Sequence, residues 1–202
     1  MYSSSLYIDL IVKRPMNKHF PLTLSLIAVS LTSGLVNASS VDVSYEDWVL
    51  PNLSLSGASV SGSLDITDNV SLEMSTFSVD TTVSLGKAGV KYNGMGVGYK
   101  TDLSNTIGVK AVIEYVDSNF WSETNSGKTS QKLSGMVYEA SLTMKMTDSI
   151  DGMVGLSESN VDGTSTATIF GISVGITDNM TLTFSSSDSQ ANIQSLGLRY
   201  NF

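Results

Sequence analysis

Cysteine is absent from this 202-residue chain, and proline occurs only at positions 15, 21 and 51. The first absence excludes a disulfide framework and a thiolate zinc site. The second leaves 151 consecutive residues without proline, which suits a chain that is strand nearly throughout, because proline cannot donate to a β ladder. Histidine is almost missing too, the single one being His19. Charge is thin, with 15% of residues charged against 41% hydrophobic, a balance that argues against both a disordered segment and a charge-coated soluble domain. The charge present leans acidic, eleven Lys and Arg against nineteen Asp and Glu for a net charge of -8. That sign argues against a nucleic-acid partner held by phosphate neutralisation.

The first forty residues read as an address. From Met16 the chain runs Asn17-Lys18-His19, then an apolar stretch from Phe20 to Leu31, then a small-residue segment ending Val36-Asn37-Ala38. A positive n-region, an apolar h-region and a small-residue cleavage site are the three parts of a secretory signal peptide. Residues 1–38 are therefore expected to be a signal peptide with its true start at Met16, leaving 39–202 as the mature domain. A transmembrane helix needs about 20 apolar residues, whereas this run is shorter and carries Thr23, Ser25 and Ser30. Without residues 1–38 the chain keeps eight basic and eighteen acidic residues, a net charge of -10, and loses its histidine. It then lacks the commonest general base, the commonest metal ligand and the thiol nucleophile. No catalytic residue, metal site or cofactor is assigned, and a non-enzymatic role is expected.

A turn theme recurs as Ile66-Thr67-Asp68-Asn69, Lys100-Thr101-Asp102, Met146-Thr147-Asp148-Ser149 and Ile176-Thr177-Asp178-Asn179. Asp and Asn tolerate turn conformations and bond their own backbone, so each is a credible tight turn. The segments between them alternate with period two, as strands with unlike faces do. Ile107, Val109, Ala111, Ile113 and Tyr115 oppose Gly108, Lys110, Val112, Glu114 and Val116; Met180, Leu182 and Phe184 oppose Thr181, Thr183 and Ser185. One face is apolar and the other small or polar. A soluble sandwich would bury the apolar face, whereas a membrane barrel turns it outward. Segments of about 9 to 12 residues, the length a tilted strand needs to cross a bilayer, favour the barrel.

The last residues add to this. Leu196, Leu198, Tyr200 and Phe202 alternate with Gly197, Arg199 and Asn201, an ending that resembles the C-terminal strand of bacterial outer-membrane β-barrels. The chain after residue 38 is similar to the small outer-membrane β-barrels of the porin-like superfamily. The resemblance implies an all-β, up-and-down antiparallel transmembrane barrel with an even strand count and both termini in the periplasm of a Gram-negative bacterium. It implies a final strand (Leu196, Leu198, Tyr200, Phe202) read by the barrel assembly machinery, and outer-membrane lipids and lipopolysaccharide as surroundings.

Four turns at one end correspond to ten strands, expected near 41–49, 54–66, 70–79, 89–100, 106–116, 132–146, 150–158, 164–176, 180–187 and 191–202. Eight is the alternative, because the stretch from Ser54 to Ser63 changes phase. The polar lumen face is expected to carry Asp65, Glu73, Lys110, Glu114, Glu139, Lys145 and Arg199, either as an internal salt-bridge network or as the lining of a thin pore. The segment 117–130 reads as an extracellular loop exposing Phe120 and Trp121. Tyr99, Tyr200 and Phe202 are expected at the periplasmic rim, Tyr92 and Tyr115 at the outer one. Gly94-Met95-Gly96-Val97-Gly98 alternates within a strand and is not a nucleotide loop. The expected function is a structural barrel or a narrow diffusion channel for small solutes, the rival being a surface interaction protein that uses the 117–130 loop.

Overall fold

The computed structural model describes residues 39–202 apart from 52, 85 and 190; the expected signal peptide lies outside the described residues. Ten strands follow one another: β1 Ser39–Leu50, β2 Leu53–Asp65, β3 Val70–Val83, β4 Gly86–Asp102, β5 Ile107–Thr124, β6 Gly127–Lys145, β7 Ile150–Ser159, β8 Ser165–Gly175, β9 Met180–Asp188 and β10 Asn192–Asn201. Each pairs antiparallel with its sequence neighbours, and β1 pairs with β10 to close the barrel. The count is ten and not eight. Closure removes the sheet edge where all ten strands pair; above that level β6 keeps an unpaired edge from Lys128 to Ser134, on the side away from β5.

Four turns of one design join the strands at one end. In each, an apolar residue donates its N–H across the turn: Ile66 to Val70, Leu103 to Ile107, Met146 to Ile150 and Ile176 to Met180, every one at 2.8 Å. The next residue is a hydroxyl that accepts backbone N–H groups of the following residues. Thr67 accepts from Asn69 and Val70, Ser104 from Thr106 and Ile107, Thr147 from Ser149, and Thr177 from Asn179 and Met180, all at 3.0–3.3 Å. The second turn is therefore Leu103-Ser104-Asn105-Thr106. Lys100, Thr101 and Asp102, expected to form it, lie in β4. Serine replaced threonine and asparagine replaced aspartate in the motif, and the hydroxyl geometry survived both changes.

From the turn end upward, the outward face is apolar. Ile107, Ile113 and Tyr115 on β5, Met95, Val97 and Tyr99 on β4, and Tyr138, Leu142 and Met144 on β6 are all exposed. From Ile107 to Tyr115 is eight residue steps, which at about 3.3 Å per residue and a 35–45° tilt makes a band about 20 Å tall. Beyond it the pattern inverts. The next outward residues are Lys91 and Asn93 on β4, Asp117 and Asn119 on β5, and Lys132 and Ser134 on β6, while apolar residues turn inward. Val79 and Val116 are fully buried, and Leu55 and Val90 nearly so. Leu55, Val79 and Val90 form a cluster with Trp48, Leu50, Leu53 and Phe77. This inversion is the phase change in β2: Leu53 and Leu55 face inward, whereas Ala58 and Val60 stand opposite the outward Tyr45 and Val43.

The strands also outgrow the barrel on one side. β5 and β6 stay paired as far as Thr124 and Gly127, while β7 meets β6 only from Val137 onward. The predicted 117–130 loop is thus a correction: it is strand except for a two-residue tip at Asn125 and Ser126. Gly127, at φ +144°, takes the conformation that L side chains rarely adopt, and Thr124 Oγ1 donates to its carbonyl at 3.3 Å. Alternation continued through 117–130 with its faces exchanged, and the exchange made a strand look like a loop.

Candidate functional site: the barrel lumen

A cavity of about 1600 Å³ runs inside the barrel from Ser40, Thr181 and Asn201 at the turn end to Leu53, Ser122 and Asp162 at the far end. Its two sides differ. The arc formed by β7 to β10 presents hydroxyls and small residues: Ser157, Ser159, Ser165, Gly171, Ser173, Thr183, Ser185 and Ser195. The arc formed by β1 to β5 carries most of the charges below and aromatic rings above; Glu139 on β6, Asp151 on β7 and Arg199 on β10 supply the remaining charges.

Six strand carboxylates line the cavity, Asp42, Glu46, Glu73, Glu114, Glu139 and Asp151, with three cations, Lys100, Lys110 and Arg199. A seventh carboxylate, Asp65, binds Lys100 at 2.6 Å, so the strand residues of the interior carry a net charge of -4, with Asp162 a further carboxylate at the far mouth. Lys110 Nζ meets Glu73 Oε1 at 2.9 Å and Arg199 Nε meets Asp42 Oδ2 at 3.4 Å. Asp65 is 8% exposed, and leaving such a carboxylate without its lysine costs about 3–5 kcal/mol. Glu46, Glu114, Glu139 and Asp151 form no ion pair among the described residues. Glu46 accepts from Trp48 Nε1 at 2.8 Å, and Glu114 accepts from Ser75 at 2.5 Å and from Tyr92 at 2.8 Å.

Several of these contacts skip a strand, and glycine makes that possible. Glu114 on β5 crosses β4 at Gly94 to reach Ser75 on β3; a Cβ on Gly94 would stand 2.6 Å from Ser75 Oγ and collide with the Glu114 carboxylate. Glu73 on β3 crosses the same strand near Gly98, where a Cβ would stand 2.7 Å from its Oε1, and so meets Lys110 on β5. Asp42 on β1 crosses β10 at Gly197 to reach Thr183 on β9 at 3.4 Å, and a Cβ there would lie 2.7 Å from both side chains. The Gly94-Met95-Gly96-Val97-Gly98 run is a trough in the lumen wall over which carboxylates lie.

Above the charges, Trp48 packs on Phe77 with centroids 4.8 Å apart, and Phe77 stacks on Tyr92 at 4.5 Å. Such pairs contribute about 0.5–1.5 kcal/mol beyond their burial. Both outer members are anchored to carboxylates, Trp48 to Glu46 and Tyr92 to Glu114. The rings narrow the far mouth from one side.

Of the residues predicted for the lumen, Glu73, Lys110, Glu114, Glu139 and Arg199 line the cavity and Asp65 sits behind Lys100. Lys145 does not: it reaches Asp148 in the third turn at 3.2 Å, at the rim. Tyr92, expected on the outer rim, points inward because its position follows the lumen parity of Gly94, Gly96 and Gly98. Phe120 also faces the lumen. Trp121 lies over Gly89, where a Cβ would be 2.8 Å from its ring, with Lys128 Nζ 5.4 Å from the ring centroid. Sequence reading missed Asp42, Glu46, Lys100 and Asp151, although all four lie inside the strands expected at 41–49, 89–100 and 150–158; each was legible only as a polar residue alternating with apolar neighbours, and Lys100 was assigned to a turn. Leu196, Leu198, Tyr200 and Phe202 are exposed on the outer surface, with the rings of the last two edge to face at 5.0 Å.

No protein-family model matches the sequence, and no curated protein does either. Solved structures match in shape. The KdgM porin in complex with disordered oligogalacturonate is 9% identical, with 81% of this chain and 99% of that one covered at a TM-score of 0.51. The NanC porin is 10% identical, with 79% and 98% covered and a TM-score of 0.51. At such identities the likeness is one of fold, and it agrees with the strand order and the outward apolar band: this chain has the fold of the small outer-membrane β-barrel proteins.

Proposed function

We propose that the protein is a non-enzymatic, integral outer-membrane barrel that acts as a narrow, cation-preferring diffusion channel for small solutes. The outward band about 20 Å tall, approaching the roughly 25 Å of transmembrane barrels, supports the membrane placement. The four short turns and both ends of the described chain would face the periplasm, and the long β3 to β6 strands the exterior. The observation that carries the channel reading is the lumen cavity itself, lined by residues from both ends of the barrel and by more carboxylates than cations. KdgM is a porin solved with oligogalacturonate, a carboxylated sugar. An interior of net charge -4 would oppose such a solute here, so the reading favours neutral or cationic ones.

The test is conductance of the protein, purified from membranes in detergent and added to a planar bilayer. Discrete steps with cations carrying most of the current are expected. A folded, heat-modifiable protein that inserts and stays silent would overturn the channel reading. The projecting β5–β6 hairpin favours a second reading, a surface interaction protein. Removing residues 120–131 should then abolish partner binding and leave the conductance in place.

A further inference from the structure

Half of the basic residues in 39–202 face outward, and they stand together. Lys87 and Lys91 on β4 flank β5 from one side, Lys128 and Lys132 on β6 from the other. Lys91, Asn119 and Lys132 share one row, and Lys87, Glu123 and Lys128 another. The remaining four are engaged elsewhere: Lys100, Lys110 and Arg199 in the lumen and Lys145 at a turn. On the rest of the far rim the outward charges are acidic, Asp47 on β1, Glu158 on β7 and Asp188 on β9. A domain of net charge -10 has gathered its outward cations on one arc of three strands.

Between the Lys91–Asn119–Lys132 row and the apolar band lies a groove of about 430 Å³ lined by Lys91, Asn93, Asp117, Asn119, Lys132 and Ser134. Neither Lys91 nor Lys132 forms an ion pair among the described residues. The buried Asn119 Oδ1 has no hydrogen-bond partner, and its amide can turn either its oxygen or its NH2 into the groove. The single carboxylate there, Asp117, accepts from the Tyr115 hydroxyl at 3.3 Å, which draws it toward the apolar band. Two strand spacings put Lys91 and Lys132 about 10 Å apart at the backbone, a gap that two lysine side chains can close on one tetrahedral anion. Their row lies four residues beyond Tyr115, about 10 Å above the apolar band at the tilt used above, the height at which lysines reach back to lipid headgroups.

We infer that this arc binds the phosphorylated headgroup of a lipid in the surrounding outer leaflet, with Lys91 and Lys132 holding a phosphate over Asn119. Lys87 and Lys128 supply a second cationic row beyond it. The inference rests on the membrane-spanning reading above. Continuity with the apolar band favours a lipid over a soluble polyanion, and the like charge of two such arcs disfavours a second copy of the chain.

The test inserts the full chain into vesicles carrying lipid A with its phosphates or lipid A stripped of them, and counts bound lipid by native mass spectrometry. Preference for the phosphorylated form should be about tenfold, as expected for two charge-assisted contacts, and should vanish in the double variant Lys91→Glu, Lys132→Glu. Lys145→Gln should keep it. Heat-modifiable migration of every variant confirms insertion. Equal binding of both lipids by the unmodified chain would overturn the site, as would a preference that survives the double variant. So would a dimer that the double variant disperses, or a soluble polyphosphate bound as tightly without vesicles. A chain that does not insert at all would instead overturn the membrane reading beneath it.

Discussion

Replacing Glu114 and Glu139 together by glutamine should lower the preference of the channel for cations over anions about tenfold at 0.1 M salt. Both carboxylates line the cavity and neither sits in a direct ion pair; the nearest cation, Lys110, is paired with Glu73, so each carboxylate still acts on passing ions. At 5 Å in water a unit charge is worth about 0.8 kcal/mol, reduced to about 0.5 by screening at a Debye length of about 10 Å. A cation gains that amount and an anion loses it, so one carboxylate shifts the ratio by about 1 kcal/mol, or about fivefold. Two would give about 25-fold at closest approach, and about tenfold once ions pass farther from one wall than 5 Å. Glutamine keeps an oxygen for one of the two hydroxyls and offers an N–H to the oxygen of the other, Ser75 and Tyr92 bonding different oxygens of Glu114, so the wall should stay assembled. The assay is the reversal potential across a planar bilayer under a potassium chloride gradient, expected to move toward zero in the variant. At 1 M salt the Debye length falls to about 3 Å, and the two proteins should converge. An unchanged reversal potential at 0.1 M, in a variant that still inserts and conducts, would refute the idea that these carboxylates set selectivity.

Phe77→Ala removes the middle ring of the Trp48–Phe77–Tyr92 ladder; it should cost about 3 kcal/mol in urea unfolding followed by tryptophan fluorescence, and raise single-channel conductance by widening the far mouth. Ala111→Arg, mid-band on the outward face of β5, should cost about 2–4 kcal/mol in vesicles, whereas Asn93→Arg, just beyond the band, should cost about 0–1; equal costs would place the boundary wrongly. Ser104→Ala withdraws the acceptor of two turn N–H groups and should destabilise by about 0.5–1 kcal/mol, as should Thr67→Ala, in the same unfolding assay.

Period-two alternation made most of this barrel readable in advance. Ile107 to Tyr115 and Met180 to Phe184 alternate without a break and were placed correctly as strands with an apolar outer face. What misled was the inversion beyond the bilayer band. Above Tyr115 the outward residues become Asp117 and Asn119 while Val116 and Phe120 turn inward, so the same alternation no longer carries the polarity of a membrane strand. Ser54 to Ser63 suffered the same exchange, Leu53 and Leu55 being apolar because they cap the lumen. The turn placed at Lys100 to Asp102 shows a different limit: similarity of letters pointed to Thr-Asp, whereas the geometry needs any hydroxyl followed by Asp or Asn, which Ser104-Asn105 supplies. The lumen pairs were out of reach for a third reason. Lys110 meets Glu73 only because β4 between them has no side chains there, and contact across an intervening strand leaves no periodic mark in the chain.

That last arrangement bears on the mechanics of the wall. Backbone ladders tie each strand only to its immediate neighbours, so a barrel built from ladders alone hinges at every strand and can flatten into an oval. The Glu114–Ser75 and Lys110–Glu73 contacts bind β5 to β3 across β4, and Asp42–Thr183 binds β1 to β9 across β10. Each is a chord spanning three strands, and it resists bending at the middle one. Two stiffened arcs of this kind, on different parts of the circumference, hold the bore near a fixed cross-section while β6 to β8 between them remain free to flex. Any deformation of the bore should therefore fall on β6 to β8.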